Sequence, residues 1–134
     1  MNNYDLYKIA DDNQTIIECY DLPKTKSTSV MFLDGSTFIG IDPFEIESLA
    51  DERVHLAHEL GHCINGAFYN VYSDSDIRGR HEHKATAWAI RYLIPYDVLQ
   101  ELFRKGICEN WDLAEHFNVT DEFMHKALLY YQTQ

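Results

Sequence analysis

One stretch, LADERVHLAHELGHCI at residues 49–64, constrains this chain more than any other. On a helix advancing about 100° per residue, Leu49, Leu56, Ala57, Leu60, Cys63 and Ile64 share one side, while His55, His58, Glu59 and His62 share the other. Such a helix needs a core against its apolar side. Its opposite side is either an ordinary polar surface or a metal site.

The spacing within that polar side discriminates between the two. His58 and His62 lie one turn apart, offset by about 40° and roughly 6 Å of rise, so their imidazoles can converge on one ion about 2.0–2.1 Å from each nitrogen. Glu59 follows His58 on the same side, close enough to reach a water on that ion without ligating it. This is the HExxH pattern, in which the carboxylate serves as general base for a water whose pKa zinc lowers to about 7. His55 falls nearly in line with His62 but about 10 Å of rise away, too far to share the ion, and reads as a surface or rim residue.

Seven histidines in a short acidic chain make accidental spacings less rare, so the motif needs a partner. A catalytic zinc takes three protein ligands and keeps one position open. RHEHKATAWAIRYLIP at 80–95 offers His81, Glu82 and His83. On a helix starting near residue 81, Glu82 shares a face with Ala85, Thr86, Ala89 and Leu93, and small residues there let two helices approach closely. Glu82 is therefore the expected third ligand, against its alternative use as a helix N-terminal carboxylate. His81 and His83 point to either side, as substrate-side donors or solvated histidines, and Thr86 can hydrogen-bond a ligating imidazole.

The remaining elements follow from local patterning. Tyr4, Leu6, Tyr7, Ile9 and Ala10 suit a short helix, and TIIECY (15–20) suits a strand. Asp34-Gly35 separates two apolar runs, at 28–33 and 36–41, and supplies the positive φ angles of a tight hairpin. Asp42 can cap one helical turn and Ser48 a second, which leads into the histidine helix. FYNVYSDSDIRGRH (68–81) shows no period and reads as a long loop, with helices resuming at about 81–94. YDVLQELFRKG, NWDLAEHF and TDEFMHKALLYYQ supply the last helices. The predicted fold is α+β in one domain over 1–134, with a short antiparallel sheet of about three strands.

Charge and cysteine content exclude several functions. A formal charge of −11 repels nucleic-acid phosphate, and no basic amphipathic stretch suits an anionic membrane. Neither a signal-like N-terminus nor an apolar run of about 20 residues is present, and three cysteines without CxxC spacing suit free, semi-buried thiols. A cytoplasmic protein is expected.

LAHELGH at 56–62, Glu82-x-x-Ala85 leading through Ala87-Trp88-Ala89 to Leu93-Ile94-Pro95, and LAEHFNV at 113–119 together resemble the ImmA/IrrE family of small phage and mobile-element metallopeptidases. The resemblance spans most of the chain. It implies that His58, His62 and Glu82 bind zinc and that Glu59 is the catalytic base of an endopeptidase cleaving a helix-turn-helix repressor. Thr86 stands where the family often has Asn or Asp, which implies weaker orientation of a ligand imidazole.

Three rival readings compete with this one. A non-cleaving antirepressor or binding module would use zinc structurally, and a DNA-binding regulator is opposed by the charge. A deformylase-like hydrolase would take cysteine as third ligand, but Cys19 and Cys108 lie in no glycine-containing motif of that kind and Cys63 is on the core side. Tyr69, Tyr72 and His81 are candidates for stabilising an oxyanion, and the hairpin at 28–41 for aligning an extended substrate.

Overall fold

A computed structural model describes residues 2–22, 24–68 and 74–134. The chain begins with helix α1 (Tyr4–Asp12), which buries Leu6 and Ala10, an i, i+4 pair on one face. Strands β1 (Thr15–Cys19), β2 (Ser27–Met31) and β3 (Thr37–Ile41) follow. Helices α2 (Leu49–Asn65), α3 (Ser75–Leu93), α4 (Tyr96–Arg104), α5 (Asn110–Phe117) and α6 (Asp121–Gln132) complete the α+β fold.

The sheet is mixed, which corrects the all-antiparallel expectation. Its order is β1-β3-β2, with β2 antiparallel and β1 parallel to β3. The link after β1 does not fold back as a hairpin; it passes β3 and is held at the far end by Asp42. That nearly fully buried carboxylate accepts from the backbone N–H of Leu22 at 2.8 Å and of Phe44 at 3.0 Å. Asp42 N–H in turn donates to the Lys26 carbonyl at 3.0 Å. Thr15 and Thr37, paired across β1 and β3, also join hydroxyls at 2.6 Å. Parallel pairing is non-local, so hairpin chemistry carries no trace of it. Its consequence is that β2, not β3, becomes the edge strand beside α2.

The hairpin turn differs in detail from the two-residue form. Gly35 alone takes a positive φ (87°), and its N–H donates to the Phe32 carbonyl at 2.9 Å. Phe32 N–H closes the loop onto Ser36 at 2.8 Å. This is a type I turn followed by a left-handed glycine, and Asp34 keeps an ordinary φ because its carboxylate instead accepts from Ser36 N–H and Oγ.

The α3 boundary is a second correction. The helix starts at Ser75, not near 81, because Asp74 caps it by accepting from Ile77 N–H at 2.9 Å. Its first two turns, SDIRGR, are polar and largely exposed, so they show no apolar period. Further along, Ala85 and Ala89 are fully buried against α2, where Gly61 meets Ala85 so closely that a Cβ would lie 2.5 Å from the Ala85 carbonyl oxygen.

One apolar core joins Leu6, Ile39, Leu56, Leu60, Ile90, Leu113 and Met124. At the C-terminal end, Asn118 adopts the left-handed conformation (φ 57°) between α5 and α6, and Thr120 caps α6. Leu113, Phe117, Val119 and Phe123 are buried there, as a packing role requires. Arg53 on α2 grips Asp5 of α1 through two bonds of 2.8 and 3.0 Å, and Tyr92 of α3 donates to the same carboxylate. Among the described residues, no helix is long and apolar enough to cross a membrane.

Candidate metal centre

Helix α2 is bounded by standard caps. Ser48 Oγ accepts from Asp51 N–H at 3.0 Å, and Gly66 ends the helix in the left-handed conformation (φ 59°) that glycine adopts without a Cβ penalty. Between these caps, Leu56, Ala57 and Leu60 enter the core. The opposite side does not face open solvent: Glu59 and His62 are buried in a cleft between α2, β2 and α3.

Glu82, two turns into α3, reaches both imidazoles of α2. His58 Nε2 lies 2.8 Å from Glu82 Oε2, and His62 Nε2 lies 3.0 Å from Glu82 Oε1. The two rings stand edge to face with centroids 4.9 Å apart. The three donors lie within 4.8 Å of one another. Because α3 begins at Ser75, Glu82 is well inside the helix, and the N-terminal carboxylate alternative does not apply.

The outer nitrogens orient the pair. His62 Nδ1 is 2.5 Å from the Ala67 carbonyl oxygen, which can only accept, so Nδ1 carries the hydrogen and neutral His62 presents a lone pair at Nε2. That is the tautomer a metal needs. His58 Nδ1 lies 3.4 Å from Thr86 Oγ1, a contact near the limit of a hydrogen bond. Burial, the largest influence on His62, disfavours its cation. Hydrogen bonds to Glu82 and Ala67 and the charges of Glu82 and Glu59 outweigh it and raise the pKa above the usual 6.5. Two imidazole nitrogens and one carboxylate converging at one point fit a zinc-type donor set with room for a further ligand.

Glu59 stands beside this cluster and accepts a hydrogen bond from Ser27 Oγ on β2 at 2.7 Å. Sequence reasoning missed Ser27, which lies 32 positions away in a strand whose placement against α2 no local signal specifies. His55 stays outside the three-donor cluster, but it is only partly exposed. Its Nδ1 lies 3.2 Å from Ser27 Oγ and its Nε2 3.5 Å from Asp51 Oδ1.

The cleft is a cavity of about 460 Å³ bordered by Thr25, Ser27 and Ser29 of the β2 side, the α2 histidines, and Phe68. It continues past His58 and Glu82 into a larger groove, about 890 Å³, that reaches Thr120 and Phe123 at the start of α6. His83 packs against Tyr130, with centroids 6.3 Å apart. Tyr69 and Tyr72 lie outside the described residues. All three cysteines are free: Cys19 and Cys108 are exposed rather than semi-buried, and burial pushes the Cys63 thiol up to about 11. None of them joins the cluster.

Residues 17–129 match the family model described as the IrrE N-terminal-like domain, peptidase family M78. The chain belongs to this family. The match runs from β1 through most of α6 and includes His58, Glu59, His62 and Glu82. No curated protein matches the chain. Membership bears out the resemblance read from LAHELGH and the Glu82 helix, and it assigns the protein to the metallopeptidases.

Proposed function

We propose that the protein is a zinc-dependent endopeptidase of the cytoplasm that cleaves one specific protein, a helix-turn-helix repressor of a phage or mobile element. The observation that carries this reading is the convergence of His58 Nε2, His62 Nε2 and the Glu82 carboxylate, beside a buried Glu59, in an open cleft. His58, His62 and Glu82 would hold the zinc. Bound there, zinc supplies Lewis acidity, which makes a water acidic near neutral pH and polarises a carbonyl.

The protein's own groups perform the remaining work. Glu59 takes the proton of the attacking water on its carboxylate and returns it to the departing amine nitrogen. β2, paired on one side only among the described residues, offers its free edge to an extended substrate, which strand addition would align across the cleft. The chain's −11 charge complements the basic surface of a DNA-binding substrate. Three protein donors instead of four among the described residues favour a catalytic site over a closed structural zinc.

The test is to incubate the zinc-loaded protein with the repressor encoded beside it. Glu59→Gln should keep stoichiometric zinc and abolish cleavage. Cleavage at the native rate by Glu59→Gln would refute the mechanism, and a retained biological effect without any change in the target's size would establish the non-cleaving antirepressor instead.

A further inference from the structure

Glu59 is buried, and a buried carboxylate requires a donor to hold it. Among the described residues, Ser27 supplies it: Ser27 Oγ lies 2.7 Å from Glu59 Oε2. Ser27 is itself buried in β2, where its backbone pairs with Ile41. It therefore stands on the sheet while the carboxylate it holds stands on α2.

A serine hydroxyl has one hydrogen, and two neighbours compete for it. An ionised carboxylate only accepts, so a Ser27 hydrogen directed at Glu59 leaves the hydroxyl oxygen to accept from His55 Nδ1, 3.2 Å away. The opposite arrangement, with hydrogen on His55 Nε2, draws the Ser27 hydrogen toward the bare Nδ1 and turns an oxygen lone pair on Glu59. Which of the two holds depends on what His55 Nε2 faces. Asp51 Oδ1 faces it from 3.5 Å, at the limit of a hydrogen bond. Asp51 directs its other oxygen to Lys26 Nζ at 2.9 Å and Glu47 N–H at 3.0 Å. The closer contact at Nδ1 wins.

We infer that Ser27 is a positioning residue for Glu59, and that His55, through an Nδ1–H bond to Ser27, directs the serine hydrogen onto the carboxylate. His55 is thus a part of the site, one step removed from the base, and not a bystander on the rim. The inference rests on Glu59 as the general base, but the hydrogen-bond chain is readable without any substrate. Burial, the largest influence on His55, lowers its pKa, so the ring is neutral and its single ring hydrogen can be located above pH 7.

The experiment is long-range ¹H–¹⁵N correlation spectroscopy of zinc-loaded, ¹⁵N-labelled protein at about pH 8, where a histidine of ordinary or lowered pKa is neutral. His55 should carry its hydrogen on Nδ1. Ser27→Ala should shift the hydrogen to Nε2, and Ser27→Thr, which keeps the hydroxyl and suits a strand, should restore it. Where cleavage is measurable, Ser27→Ala should lower kcat by about 10–100-fold with KM unchanged, and Ser27→Thr should recover most of that loss. An Nε2–H tautomer in the native protein, a tautomer indifferent to Ser27→Ala, or an undiminished kcat in that variant would overturn the inference. The expected tautomers in a protein that cleaves nothing would defeat the peptidase reading and leave the hydrogen-bond chain standing.

Discussion

Adding one methyl group at Gly61 tests how the candidate metal centre is built. A helix interior gains about 1 kcal/mol when glycine becomes alanine, so Gly61→Ala would stabilise an unconstrained α2. Here the new Cβ would lie 2.5 Å from the Ala85 carbonyl oxygen, 2.9 Å from its Cα and 3.0 Å from its carbonyl carbon. These are backbone atoms and cannot rotate away. Reaching the van der Waals optimum of about 3.5–4.0 Å requires α2 and α3 to separate by roughly 1 Å. Overpacking of that kind costs about 1–3 kcal/mol, so with the propensity gain subtracted the net loss is about 0–2 kcal/mol. A domain of this size would lose about 3–5 °C in Tm per kcal/mol.

The larger effect should fall on the metal. Gly61 adjoins His62, and Ala85 is one turn from Glu82, so the separation acts directly on the distance between ligands from different helices. Metal–ligand distances tolerate only about ±0.2 Å. Zinc affinity, measured by competition with a chromophoric chelator, should drop by about 10–100-fold, the scale seen when ligand support is disturbed. Thermal unfolding with and without zinc would show a reduced zinc-dependent rise in Tm. A Gly61→Ala protein with raised Tm and native zinc affinity would refute the close-contact argument. Lowered Tm with native affinity would refute the coupling between helix spacing and ligand geometry.

Two further outcomes follow from contacts away from the cleft. Asn118→Ala places a Cβ-bearing residue without Asn's local hydrogen bonding at φ 57°, which should cost about 1 kcal/mol; Asn118→Gly should be neutral or stabilising, and equal urea midpoints for Asn118→Ala and the native protein would contradict this. The hydrogen bond from Arg53, aided by Tyr92 and by the guanidinium charge, lowers the Asp5 pKa below its usual 3.8 although burial opposes it. A carboxyl whose pKa is lowered by folding contributes stability above its unfolded pKa and loses it as pH falls through the folded value. The native protein should therefore exceed Asp5→Asn in stability near neutral pH, with the gap closing below about pH 4; a gap that persists in acid would show that the ion pair is not its source.

Much of the candidate site was legible because helical geometry is local. The i, i+4 spacing of His58 and His62, the adjacency of Glu59 and the capping of α2 by Ser48 all follow from residues within a few turns. Glu82 was reachable by one step more, since the small residues Ala85 and Ala89 mark the face that presses on another helix. The first turns of α3 were not legible, because a polar, exposed helix has no apolar period and its signal rests on a single cap, Asp74. The role of Ser27 was invisible for a different reason: nothing near it in the chain refers to Glu59.

By itself, then, the sequence determined which side chains share a helical face, where α2 is capped and which donors could meet a metal, since these depend on backbone periodicity over a few residues. Only the tertiary structure decided that β1 pairs in parallel with β3, that β2 is left as an edge strand along the cleft, and that Ser27 reaches both Glu59 and His55. Those choices depend on which distant segments bury surface and satisfy hydrogen bonds together. Asp42 shows the principle in one residue: a nearly fully buried carboxylate at the end of β3 that holds Leu22 and sets the path of the link between the first two strands.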